Sequence, residues 1–268
     1  VICVETGHIE VHESGAVEAF GHKVIPLPGE NSKLSSSTLA VYMDSFLADE
    51  THPHMVQPGM VYISMPTEFG MVYTQEELTA LYATCQKYGL RLFIDGARLG
   101  YGLESEACDY DLPFLAKHCD VFYIGGTKVG AMMGEAVVFS GMKAPKYFFT
   151  TVKRHGALLA KGRMLGIQFD TLFTDQLYFK VARHAIAMAA RIRGIFKKHG
   201  IAIAYDSPTN QQFVVLSPTL HEALSKRVAF EIWERKSDSE IICRFVTSWA
   251  TKEEELDELD HILDELDF

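Results

Sequence analysis

The chain has 268 residues, 48% of them hydrophobic and 22% charged, and its 35 acidic against 25 basic side chains give a formal charge of −10. That supports a substantial core, in one large domain or in a large and a small one, and it excludes the basic face that a nucleic-acid backbone demands. No apolar run approaches the roughly 20 residues that cross a bilayer, and no signal-peptide pattern is visible.

In chain order, the opening VICVE reads as the interior of a domain rather than its start. Met60–Met65 (MVYISM) is an apolar run of strand length. Thr74–Gly89 has both ends of a helix marked: Thr74 and Glu77 form a capping-box pattern, and Gly89 stands where a helix-ending glycine belongs. Its apolar stripe is Leu78, Leu81, Tyr82 and Cys85. Leu90–Asp95 predicts a strand, Leu112–His118 a short helix with Pro113 in its first turn, and Asp120–Gly126 and Glu135–Ser140 two further strands. Short strands alternating with helices imply a mostly parallel sheet covered on both faces.

After Gly141 the pattern changes. Helical stretches rich in Ala, Leu, Ile and Met run from about Ala157 to His199. Phe213–Ser217, Ala229–Ser237 and Glu240–Trp249 then read as strands, with a helix around LHEALSKRV between the first two. A closing acidic helix carries Leu256, Leu259, Ile262 and Leu263 on one face. This predicts a large α/β unit, residues 1–185, and a small C-terminal α+β unit, residues 186–268, with the boundary near 180–205. The five cysteines, Cys3, Cys85, Cys108, Cys119 and Cys243, are odd in number and scattered without a CxxC pair. They predict neither a disulfide framework nor a zinc site, and suit a reducing, cytoplasmic compartment with no bound metal.

In an open α/β sheet, ligands bind beyond the carboxyl ends of the strands. Three predicted strands end in chemistry there: PTEFG presents Thr67 and Glu68, DGAR presents Asp95 and Arg98, and GGTK presents Thr127 and Lys128. Taken singly, Asp95 reads as a helix cap and Lys128 as a surface charge. Taken together, they sit on the ends of successive βα units and converge. GGTKVGAMMG matches no phosphate-binding fingerprint. A lysine among glycines and alanines leaves clearance for a bulky planar group, and a covered lysine becomes a nucleophile toward carbonyls. The cofactor of that chemistry is pyridoxal 5′-phosphate, whose ring nitrogen pairs with an aspartate.

The segments HIEVHESGA, ISMPTEFGMVYTQEEL, LFIDGARLGYGL, DVFYIGGTKVGAMMGEAVVF, TNQQF and RFVTSWATKEEELDEL, in this order along nearly the whole chain, resemble the low-specificity L-threonine aldolases. These belong to the β-eliminating-lyase group of fold-type I pyridoxal-phosphate enzymes. IDGAR followed by GGTK is the most specific part. The resemblance implies a fold-type I large domain with a mostly parallel sheet plus the small domain. It implies retro-aldol cleavage of threonine or allo-threonine to glycine and an aldehyde. β-Elimination or transamination on the same scaffold, or a catalytically degenerate protein acting by association, are the alternatives.

By resemblance, Lys128 holds the cofactor as a Schiff base, Asp95 contacts its ring nitrogen and His8 stacks on its ring, with Thr127 beside the lysine and Arg154 toward the phosphate. Arg98 and Arg244 match the arginines near the substrate carboxylate, and Thr67 lies with them. Glu68 stands where many relatives carry a histidine that handles the substrate hydroxyl; a carboxylate of raised pKa serves as a base there. Glu13 follows His8 as the family's acid does. The family's small-residue turn that cradles the cofactor phosphate comes before the histidine and is absent from these residues, so the natural protein is expected to contain such a segment. The resemblance also implies a homodimer or homotetramer acting on a small amino acid, without nucleic acid or membrane.

Overall fold

The computed structural model describes residues 1–266, and among them ten strands form two sheets. The first contains β1 (Ile2–Val4), β2 (Ile25–Leu27), β3 (Met60–Ser64), β4 (Arg91–Asp95), β5 (Val121–Gly125) and β6 (Glu135–Phe139), in the order β2-β1-β3-β4-β5-β6. The first five are parallel, and β6 returns antiparallel to β5. The reason is the connection. A parallel neighbour needs a crossover of a dozen or more residues, whereas the short loop 126–134 can only fold back.

The crossover between β3 and β4 is the helix Gln75–Lys87, and its predicted cap is present. Thr74 Oγ1 accepts the Glu77 N–H at 3.2 Å, and Glu77 Oε2 accepts the Thr74 N–H at 2.8 Å. Gly89 ends the helix at φ +68°, a left-handed position that favours glycine. Leu78, Leu81 and Cys85 are the buried face. Because β1, β3, β4 and β5 run the same way, residues 5–8, 65–68, 95–98 and 125–128 all emerge at one end of the sheet.

The second sheet contains β7 (Ile203–Tyr205), β8 (Gln211–Leu216), β9 (Glu231–Arg235) and β10 (Ile241–Val246), antiparallel throughout in the order β7-β8-β10-β9. Its core includes Val214, Leu216, Ile241 and the buried stripe Leu256, Leu259, Ile262 and Leu263 of the acidic helix Glu253–Glu265. Each such side chain, fully buried, contributes about 1.5–3 kcal/mol. The acidic face stays outside, where Asp260 meets Lys198 at 2.8 Å.

Helix Leu177–Lys198 joins the two cores, giving Tyr178, Ala182 and Ala185 to the first and Met188, Ile192, Ile195 and Phe196 to the second. The helical stretch expected from Ala157 is interrupted. Arg163–Phe173 and Leu177–Lys198 are separate helices, broken at Asp175 and Gln176, both with positive φ, and a further helix, Phe148–Arg154, precedes the stretch. The strands β1 and β2 and the helix Ser36–Ala48 had no counterpart in the sequence reading. Three-residue strands are too short to show a period of two.

Candidate active site

The carboxyl ends of the parallel strands open into two adjoining cavities, of about 710 and 170 Å³. His8, Glu68, Arg98 and Lys128 line both. Asp95, Thr67 and Thr127 line the smaller one, and Arg244, arriving from β10, lines the larger. The topology therefore brings together eight of the nine expected residues. Arg154 is the exception. It ends the helix Phe148–Arg154, which has no buried residue, and it points to solvent rather than into either cavity.

Asp95 is 8% exposed and held on three sides. Oδ2 accepts the Tyr62 hydroxyl, and Oδ1 accepts both the Tyr123 hydroxyl and the Ala97 N–H, the last at 2.9 Å. An ionised carboxylate has about four acceptor sites. Three are filled, and the open one is on Oδ2. Burial, and then the Asp95 charge, raise both tyrosines well above the ordinary phenol range, so they remain donors at every working pH.

Lys128 projects from the turn after β5, and its backbone carbonyl accepts the Tyr101 hydroxyl. Its amine has no hydrogen-bond partner among the described residues. Partial desolvation, reinforced by the Arg98 guanidinium, lowers its pKa, while Asp95 and Glu135 oppose the shift. Arg98 is half-buried, and its own pKa is lowered by burial and by Arg244. Three cations therefore share one wall, which favours an anion.

Glu68 is 8% exposed, and burial raises its pKa. Oε1 accepts the His8 N–H at 2.9 Å and the Ser64 hydroxyl at 2.6 Å, whereas Oε2 has only a long contact to the Ser32 hydroxyl at 3.4 Å. Oε2 is the freer oxygen. Burial lowers the His8 pKa against the pull of Asp95 and Glu13, and its Nε2 lies 3.1 Å from Glu13 Oε1.

Thr67 is 2% exposed, and its hydroxyl accepts the Met71 N–H at 3.1 Å, so it closes the turn after β3. The Thr127 hydroxyl donates to Glu135 Oε1 at 3.1 Å, and the Gly126 N–H donates to the other oxygen of that carboxylate. The glycines of this turn make room for protein rather than for a ligand. A Cβ on Gly125 would strike the Ala97 carbonyl, and one on Gly126 would lie 2.6 Å from the Gly134 carbonyl. A Cβ on Gly130 would make only an ordinary contact with Leu172 Cδ2 at 3.7 Å, so it is the φ of +101° that calls for glycine there.

The model of the beta-eliminating lyase family matches residues 1–222. The chain belongs to the beta-eliminating lyase family. Within it, the chain is similar to the low specificity L-threonine aldolase of a Pseudomonas species, with 31% identity over 263 residues, 97% of this chain and 74% of that one. Its fold matches the structure of Leishmania major threonine aldolase at a TM-score of 0.94 and 39% identity, covering 98% of this chain and 76% of that one. A Thermus thermophilus aspartate aminotransferase, 14% identical, shares the fold alone, with a TM-score of 0.69 over 98% of this chain and 69% of that one. The fold is thus the fold-type I architecture that the resemblance implied.

Several residues that shape the site of this beta-eliminating lyase family member had not been singled out. Tyr62 and Tyr123 sit mid-strand, where sequence shows only β-propensity. Glu135, Glu231 and Trp233 reach the cavities from β6 and β9, and no local motif marks them.

Proposed function

We propose that this chain is an aldehyde-lyase that uses pyridoxal 5′-phosphate to cleave L-threonine, allo-threonine and related β-hydroxy-α-amino acids to glycine and an aldehyde. The observation that carries the proposal is the pairing of Lys128, whose amine is unpartnered among the described residues and depressed in pKa, with Asp95, a buried carboxylate with one open acceptor site that lines the same cavity. That donor set fits the cofactor: Lys128 would hold its carbonyl carbon, Asp95 its ring nitrogen, and His8 would face its ring. When bound, the cofactor supplies a sink for the electron pair left on Cα as the Cα–Cβ bond breaks.

The remaining chemistry belongs to the chain. Arg98 and Arg244 hold the substrate carboxylate, which fixes the bond to be broken. Thr67 secures the turn that presents Glu68. Glu68 Oε2 takes the proton of the β-hydroxyl as the aldehyde forms. Its raised pKa lets the carboxyl hold that proton and then release it to Cα, so that glycine and the aldehyde account for every atom of the substrate. Thr127 braces the Lys128 turn through Glu135.

The reading extends to organisation. Residues 1–185 would bind the cofactor, and residues 186–268 would contribute Arg244. A cytoplasmic homodimer or homotetramer acting on a small amino acid is proposed with it. Five free cysteines, four of them buried, suit a reducing compartment, and among the described residues no helix is long and apolar enough to cross a membrane. The test is Lys128→Ala. Purified with pyridoxal phosphate, it should lose the visible absorbance band, the borohydride-trapped label and glycine formation. Glycine release at the wild-type rate would end the proposal.

A further inference from the structure

Arg244 is the cavity cation supplied by the second sheet, and its guanidinium is gripped rather than loose. It pairs across the β9–β10 ladder with Glu231. Nε lies 3.1 Å from Glu231 Oε2, and Nη2 donates to the same oxygen. Nη1 donates to Gln211 Oε1 at 2.9 Å, and the guanidinium lies 4.9 Å from the centre of the Trp233 ring. The Arg244 side chain is 17% exposed, while that of Glu231 is 65% exposed at the cavity rim.

A guanidinium carries five N–H donors in a rigid plane. The contacts to Glu231 and Gln211 use three. One N–H remains on each terminal nitrogen, and this free edge is what is left to meet a carboxylate. The Trp233 face fixes the tilt of the plane, and the two acceptors fix its rotation. The grip matters because Arg98 lines the same cavity, and two guanidiniums of like charge there repel each other. Without Glu231, Arg244 has every reason to swing away from Arg98 into solvent.

We infer that Glu231 is a positioning residue for substrate recognition: it holds Arg244 so that the free edge of the guanidinium faces the α-carboxylate of an amino acid. The inference rests on the proposed assignment of Arg244 to that carboxylate. It predicts an effect on recognition and little on bond cleavage, because Glu231 touches neither Lys128 nor Glu68.

The experiment compares wild type with Glu231→Gln and Glu231→Asp in the pyridoxal-phosphate-loaded full chain. KM and kcat are measured for L-threonine, and glycine binding is measured by titration calorimetry. Loss of one charge-assisted partner should raise KM and weaken glycine roughly tenfold, with the larger part of the effect in KM. Glu231→Asp, which keeps the charge on a shorter arm, should recover part of it. In an Arg244→Lys background, Glu231→Gln should add nothing further, since its route of action is gone. A KM and glycine affinity within about twofold of wild type, a lower KM, or full additivity with Arg244→Lys would overturn the inference. Wild-type protein that forms no glycine from threonine would defeat the proposed reaction instead, and the glycine titration would still decide the role of Glu231.

Discussion

The carboxylate of Glu68 accepts the backbone N–H of His8 at 2.9 Å, so the turn after β3 is tied to the start of the helix that follows β1. One bond thus couples the proposed base to the residue proposed to face the cofactor ring. Glu68→Gln keeps an acceptor for that N–H and removes the base. We expect kcat to fall roughly 10²–10⁴-fold with little change in glycine binding, and the acid limb of the rate profile to disappear. The measurement is kcat against pH for both proteins.

The same residue makes a prediction about stability. Burial raises the Glu68 pKa in the folded state above its unfolded value. The folded chain therefore binds the proton more tightly, and the contribution of Glu68 is full below the unfolded pKa and lost as pH rises through the raised one. Glu68→Gln avoids that loss. Its Tm should exceed the wild-type value above the raised pKa, and the gap should close in acid. A gap that widened in acid would contradict the sign.

Lys128 should be reactive as a free amine without cofactor. Partial desolvation, with Arg98 second, lowers its pKa. In the cofactor-free protein its labelling by a small aldehyde and borohydride should therefore reach half-maximum below the pH of an ordinary lysine. Arg98→Gln removes a neighbouring cation and should move that midpoint upward. Peptide mass analysis across a pH series reads both.

The two phenols on Asp95 predict a cost that activity alone would hide. Tyr62→Phe and Tyr123→Phe each remove a hydrogen bond to a buried carboxylate. Each should lower unfolding stability by about 1.5–3 kcal/mol in urea titrations of cofactor-free protein. An effect below about 0.5 kcal/mol for both would show that Asp95 does not depend on them.

The glycines after β5 separate two physical causes. Gly125→Ala forces a Cβ into the Ala97 carbonyl and should prevent soluble folding or cost several kcal/mol. Gly130→Ala meets only an ordinary contact with Leu172 at φ +101° and should cost only about 1–2 kcal/mol. Equal effects in a thermal melt would refute the distinction.

Much of this protein was legible one segment at a time. The capping box at Thr74, the β-branched runs of β3 to β5 and the leucine stripe of the last helix are local patterns, because helix and strand periods are local properties of a chain. The sequence by itself also placed Asp95 and Lys128 on successive strand ends, since parallel strands joined by crossovers must end on the same side. Tertiary structure alone decided what surrounds them. That Tyr62 and Tyr123 grip Asp95 depends on the lateral pairing of β3, β4 and β5, and that Glu231 grips Arg244 depends on the register of β9 on β10. It also decided that the glycines beside Lys128 accommodate backbone, and that Arg154 faces solvent. Contacts between distant segments follow from register and packing, and no window of sequence contains both partners.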